Sequence, residues 1–224
     1  MVRTFAPALF AVCCAVPGVA HAADTEQCRN GNFPEQAAAF GLAKVVGTPR
    51  SYLRSDMSPC PDDSAACRGR AYVVPGDIVL TGAASGSYVC ALFPDSNGGS
   101  AGYVRRDEIV PQPVATDPPL AAWTGKWRNF DNSIALRVDG NALTASGSAY
   151  WPSANPSPRL RPGGPNLGDM GGTATPKGNV VVFAADEPAP CRVTLTLLPP
   201  FLLAVDNRNC GGMNVSFTGV YRRR

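Results

Sequence analysis

From residue 51 onward, short runs of Val, Ile, Leu and Tyr alternate with clusters of Gly, Asn, Asp and Pro, a pattern of strands punctuated by turns. Strands are predicted over 52–54, 71–74, 78–81, 87–93 and 102–104, with turn residues such as Pro75-Gly76-Asp77 and Asn97-Gly98-Gly99 between them. That is the layout of a small, strongly bent barrel. Farther on, Ile134, Leu136 and Val138 alternate before Asp139-Gly140-Asn141, and Leu143, Ala145, Gly147 and Ala149 alternate after it, which predicts a hairpin on an Asp-Gly turn. Further strands are predicted over 169–174, 180–184, 192–198, 202–206 and 214–221. About eight strands in succession imply an up-and-down barrel. Helical periodicity is scarce: the best candidate is 34–45, PEQAAAFGLAKV, where Ala37, Ala38, Phe40 and Leu42 suit a short amphipathic helix interrupted by Gly41. The expected class is all-β, two small β-barrel modules with a minor N-terminal helix.

The divider between the modules is 110–119, VPQPVATDPP, whose four prolines cannot join a sheet interior and favour an extended spacer. The expected organisation is a signal peptide over 1–22, a first module over 24–109, a linker over 110–119 and a second module over 120–224.

The signal peptide rests on Arg3, the apolar run from Phe5 to Val19, and Ala20-His21-Ala22 as a cleavage site, with the exported chain starting near Ala23. No run is long enough for a membrane-spanning helix. Cys13 and Cys14 would leave with the signal. Six cysteines remain, an even number that in an exported chain reads as a disulfide set, placing the protein in the periplasm or outside the cell. Cys60 and Cys67 bracket a short loop and are paired first. That leaves Cys28 with Cys90, although four cysteines allow three connectivities. Cys191 begins one strand and Cys210 follows the next, so antiparallel pairing through a turn at Pro199-Pro200 brings them together. Cys210 is read as a staple.

The sole histidine, His21, falls in the signal segment, which removes Ser-His-Asp and Cys-His catalysis and zinc sites of the usual His-containing kinds. No metal and no cofactor is expected, and the chain is read as no enzyme. Paired carboxylates are still open; Asp186, Glu187 and Asp206 are the acids considered, and nothing in their spacing sets two at catalytic range. A net charge of +3 implies no nucleic-acid partner. Arg222, Arg223 and Arg224 are read as a solvated tail.

In the first module, Leu53-Arg54-Ser55 before a long loop, Val74-Pro75-Gly76-Asp77-Ile78-Val79 at a turn into a strand, Tyr88-Val89-Cys90 and Gly102-Tyr103-Val104 together resemble the bacterial SH3-like (SH3b) family over about sixty residues. Tyr103 stands where such domains often carry Trp. The resemblance implies a binding unit directed at cell-wall peptides or proteins, with Tyr52, Tyr72, Tyr88 and Tyr103 as the aromatic residues that could line its groove. In the second module, Trp123-Thr124-Gly125-Lys126-Trp127 resembles the first strand of lipocalin-like and avidin-like barrels, in which a Trp plugs the closed end. No Trp follows Trp151, so a biotin-type aromatic box is not expected.

The long segment 152–169 is rich in Pro and Gly, and its Arg159, Leu160 and Arg161 could form a peg for an acidic cleft. The leading expectation is a non-catalytic exported binding protein of the bacterial envelope that engages cell-wall peptide or a periplasmic protein. The alternative is a periplasmic inhibitor or immunity protein against a lysozyme-type cell-wall hydrolase.

Overall fold

The computed structural model describes residues 27–36, 40–47, 49–95, 98–185 and 190–223; the expected signal segment 1–22, Cys13, Cys14, Asp186 and Glu187 lie outside the described residues. The fold is all-β, and the described residues form two antiparallel sheets and one short α-helix, α1 (Phe33–Gln36). The first sheet comprises β1 (Gly41–Val45), β2 (Ser51–Arg54), β3 (Arg68–Val73), β4 (Ile78–Ser85), β5 (Tyr88–Phe93), β6 (Ser100–Arg105) and β7 (Ile109–Gln112), in the spatial order β3-β2-β6-β5-β4-β1-β7. The second comprises β8 (Gly125–Asn129), β9 (Asn132–Asp139), β10 (Ala142–Trp151), β11 (Asn166–Ala174), β12 (Val180–Ala184), β13 (Arg192–Leu198), β14 (Phe201–Asp206) and β15 (Gly219–Arg223). Its order, β11-β10-β9-β8-β15-β14-β13-β12, is an up-and-down sheet curled almost into a barrel, with the seam between β11 and β12. An isolated bridge from Gly168 to Gly211 lies at the β11 edge of that seam, where a Cβ on Gly168 would overlap the Cys210 carbonyl.

Four sequence expectations need correction. The helix expected over 34–45 is replaced, from Gly41 onward, by β1, which pairs with both β4 and β7. Gly41 is unfavourable in a helix by about 1 kcal/mol relative to Ala. In the strand it lets β1 and β4 approach closely, since a Cβ there would sit 2.8 Å from Thr81 Oγ1. The first sheet gains β1 and β7 beyond the five expected strands, and β7 uses the start of the proline-rich stretch. Pro111 is tolerated because β7 is a terminal strand. The strand expected over 214–221 begins only at Gly219; before it, the Asp206 carboxylate accepts the Phe217 N–H (2.6 Å) and the Ser216 hydroxyl (3.1 Å), diverting this segment from a ladder. Finally, Arg222 and Arg223 belong to β15 rather than to a frayed tail: Arg222 donates to the Pro94 carbonyl, and Arg223 lies 4.6 Å over the Trp127 ring.

The barrel core contains Trp123, Trp127, Leu136, Leu195, Phe217 and Tyr221, with the Trp127 indole N–H donating to the Trp123 carbonyl (2.9 Å). Along β13 the inward residues Val193, Leu195 and Leu197 alternate with half-buried Thr194 and Thr196. Around the Pro199-Pro200 turn the alternation gives way to continuous burial from Phe201 to Ala204, the mark of a strand covered on both faces. The outer cover is the first sheet: Leu198, Phe201, Leu203 and Val220 share one buried cluster with Phe33, Leu42, Leu80 and Leu92. Arg208 pairs with Glu35 (3.0 Å) at the rim of this contact.

All three disulfides form as read: Cys28–Cys90, Cys60–Cys67 and Cys191–Cys210. Among the described residues no helix is long and apolar enough to cross a membrane.

Candidate binding surface

β3 and β2 lie side by side at one end of the first sheet, and their register sets Tyr72 directly opposite Tyr52. Cross-strand partners lie on the same face. The two rings meet edge to face with centroids 5.7 Å apart. Arg68, four residues before Tyr72 on β3, lies over the Tyr52 ring at 4.3 Å, and Arg50, just before β2, lies over the Tyr72 ring at 4.7 Å. The result is a continuous Arg68-Tyr52-Tyr72-Arg50 ladder, with Tyr72 43% exposed. Guanidinium groups over tyrosine faces hold the rings rigid.

The other two tyrosines sit elsewhere. Tyr88 and Tyr103 are buried, because β5 and β6 are interior strands and these side chains enter the inter-sheet core. Only the Tyr88 hydroxyl reaches the surface, where it donates to Asp63 (2.7 Å). The sequence-read aromatic set therefore separates into a surface pair, with Tyr72 exposed and Tyr52 half-buried, and a buried pair.

Asp63 organises the long loop between β2 and β3. It accepts from Arg54 (3.0 Å) and Arg105 (2.6 Å) besides Tyr88, while Arg54 Nε also donates to the Asp62 carbonyl (2.9 Å). The Tyr88 hydrogen bond, with Arg105 and Arg54 behind it, holds the Asp63 carboxyl below the usual carboxylate range; burial and the same Asp63 push the Tyr88 phenol up. Arg105 also pairs with Asp107 (3.0 Å), and Arg29 with Asp56 (2.8 Å). The Cys60–Cys67 bond closes the second half of the loop, and the Ser55 N–H donates to the Cys67 carbonyl (2.8 Å) at its neck. Asp56, Asp63 and Asp107 are thus engaged by Arg29, Arg54 and Arg105, and Asp62 accepts the Ser64 N–H (2.8 Å), whereas Arg68 and Arg70 form no ion pair among the described residues. The surface left over is basic and aromatic. Sequence reasoning missed Arg50, Arg68 and Arg70; the signal was the alternation Arg68-x-Arg70-x-Tyr72, the spacing of one face in a regular strand, and all three are exposed across the register shift in this strand pair.

At the far end of the second sheet, 157–161 forms a tight turn in which Leu160 N–H and Arg161 N–H both donate to the Ser157 carbonyl (2.8 and 2.9 Å). Leu160 is 77% exposed and Arg159 is exposed beside it. Arg161 is turned inward: it donates to the Gly164 carbonyl (3.1 Å) and to Asn166 Oδ1, and lies 5.6 Å from the Trp151 ring. The three residues read together as a peg have different roles, with Arg161 supporting the turn and Leu160 at its tip.

Asp206 is the buried acid of the second sheet. Besides Phe217 and Ser216, its carboxylate accepts the Arg208 N–H (3.1 Å) and the Thr218 hydroxyl (3.4 Å), so its oxygens clamp the 207–218 segment. Among the described residues there is no group of three His, Cys, Asp or Glu side chains arranged to hold a metal ion. No family model, no curated protein and no solved structure matches the chain, so its surface has to be read from its own chemistry.

Proposed function

We propose that this is a non-catalytic binding protein of the bacterial envelope, periplasmic or secreted, which engages cell-wall peptide or another envelope protein through the first sheet. The observation that carries the reading is the surface Arg68-Tyr52-Tyr72-Arg50 ladder, exposed at Arg50, Arg68 and Tyr72: rigid aromatic rings flanked by guanidinium groups are the composition of binding hot spots. The resemblance of this half to SH3b modules and the oxidised cysteines support the same reading. The test is retention of the full chain on purified peptidoglycan and, separately, on immobilised envelope extract. The Tyr52→Ala/Tyr72→Ala variant should lose retention on whichever matrix holds the wild type, by about 5- to 30-fold per ring at ~1–2 kcal/mol each. Unchanged retention by a folded variant refutes the reading.

A second reading, inhibition of a wall hydrolase, is favoured by one observation: Leu160 projects from a turn held by Arg161, an apolar tip flanked by the Arg159 cation. Inhibition of a lysozyme-type hydrolase by the wild type, abolished in Leu160→Asp, would establish it in place of the first.

A further inference from the structure

Four strands end the two sheets, and three of them are guarded. β7 carries Pro111 and runs into Pro113, each lacking an N–H to offer an incoming strand. β11 and β12 face one another across the barrel seam, with Gly211 against β11. β3 pairs only with β2, in a register that shifts between the Tyr52–Tyr72 and Arg54–Arg68 pairs, contains no proline, and is exposed at Arg68, Gly69, Arg70 and Tyr72. Its outer edge carries the backbone donors and acceptors that another strand would satisfy.

Resting on the binding reading above, we propose that β3 is a strand-addition site, and that its occupant is an extended acidic segment of a protein partner, which adds beside Arg68–Val73 as a further strand of the first sheet. Charge selects the occupant. Arg68 and Arg70 form no ion pair among the described residues, and the nearby acids Asp56, Asp63 and Asp107 are held by Arg29, Arg54 and Arg105. A second copy of β3 would set arginine against arginine or tyrosine, which disfavours self-pairing; a strand with carboxylates at alternate positions would set one opposite each arginine. Successive positions on one face of a strand are ~7 Å apart, so the matching pattern is two acids separated by one residue, followed or preceded at the same spacing by an aliphatic residue against the exposed Tyr72 ring. In antiparallel order this reads aliphatic-x-acid-x-acid. Wall peptides, with D-residues and isopeptide branches, interrupt the regular backbone that such a ladder requires, which is why the occupant is assigned as a protein segment. Main-chain bonds to β3 then supply affinity and the arginines supply selection, the division of labour of β-augmentation.

The test uses the full chain and three synthetic peptides: an acetylated, amidated ten-residue peptide of alternating Val and Thr with Glu at two successive same-face positions, the same peptide with Lys for Glu, and the Glu peptide N-methylated at alternate amides along its pairing edge. Fluorescence polarisation measures affinity, and backbone NMR with amide hydrogen exchange locates the contact. The Glu peptide should bind, slow exchange within 68–73 and weaken as salt rises; the Lys peptide should bind at least about tenfold more weakly, and so should the N-methylated one. Arg68→Glu/Arg70→Glu, on exposed residues with no structural ion pair, should keep the fold by circular dichroism and reverse the preference toward Lys. Equal binding of the N-methylated peptide overturns strand addition. Failure of the Glu peptide, while Tyr52→Ala/Tyr72→Ala still abolishes retention on wall or extract, overturns this inference and leaves the proposed function standing. If neither the peptide binds nor the tyrosine variant changes retention, both fall.

Discussion

Replacing Leu203 by Ala should weaken both sheets together. Leu203 lies on β14 between Leu202 and Ala204, which face the barrel core, and it points the other way, into the cluster shared with Phe33, Leu80 and Leu92 of the first half; it is 1% exposed. The change removes three buried carbons, about 2.4 kcal/mol at ~0.8 kcal/mol per group. Incomplete collapse of the resulting cavity brings the expected loss to about 3–4 kcal/mol, or roughly 10 °C in Tm for a chain of this size. Urea unfolding provides separate reporters for the halves. Trp123, Trp127 and Trp151 all belong to the second half, so tryptophan fluorescence follows the barrel, while exchange protection of β5 follows the first sheet. In the wild type the two probes should trace one transition, and in Leu203→Ala both should move to the same lower midpoint. A fluorescence midpoint that falls while β5 protection stays, or a loss under about 1 kcal/mol, would show that the shared cluster does not couple the sheets.

Three further outcomes follow from individual contacts. Asp206→Ala strips the acceptor from the Phe217 and Arg208 amides and from two hydroxyls and should cost about 2–4 kcal/mol in thermal melts, whereas a carboxylate that served only at the surface would cost under about 0.5. Asp63 has a depressed folded-state pKa, so its contribution is present above the unfolded value of about 3.9 and is lost as pH falls through the lower folded value; acid should loosen the 55–67 loop only below about pH 4, and a carboxyl-carbon NMR titration should show the Asp63 midpoint rising in Tyr88→Phe. Removing the Cys60–Cys67 bond by paired Ser substitutions should cost about 2.5 kcal/mol by loop-closure entropy and raise exchange across 55–67, which a peptide-resolved exchange map would read directly.

How much of this was legible in the sequence depended on whether a residue's environment was set by near or distant neighbours. The β9–β10 hairpin announced itself because Ile134, Leu136, Leu143 and Ala149 face one core and Gly140 takes the left-handed turn conformation (φ 60°). Two of the disulfides were readable because local closure favoured Cys60 with Cys67 and strand order favoured Cys191 with Cys210; Cys28–Cys90 was one of three connectivities that the sequence left open, because it joins segments 62 residues apart. β1 was not, since its partners β4 and β7 lie far along the chain and Phe40-Gly41-Leu42 has the spacing of a broken helix as readily as that of a strand. Val215 and Phe217 alternate like strand residues and are buried like them, but the side chain of Asp206 captures the intervening backbone, a contact that propensity does not register. At the candidate site the tyrosines were visible as residue types. Their division into a surface pair and a buried pair was not, because it follows from which strands lie at the end of the sheet and which lie inside it. The pairing of Tyr52 with Tyr72 needed the β2–β3 register, set across a loop whose fold depends on Asp63, Arg54 and Arg105.

The central claim, binding through the Tyr52–Tyr72 face, is tested most directly by residue-resolved photocrosslinking in the producing cell. A benzophenone side chain would replace Tyr72 in one variant, Leu160 in a second, and Val182, an exposed residue on β12, in a third as control. The account predicts a discrete adduct from position 72 that disappears when Arg68 and Arg70 are also changed to Glu, with none from 182. An adduct from position 160 with none from 72 would contradict it and move the binding surface to the Leu160 turn.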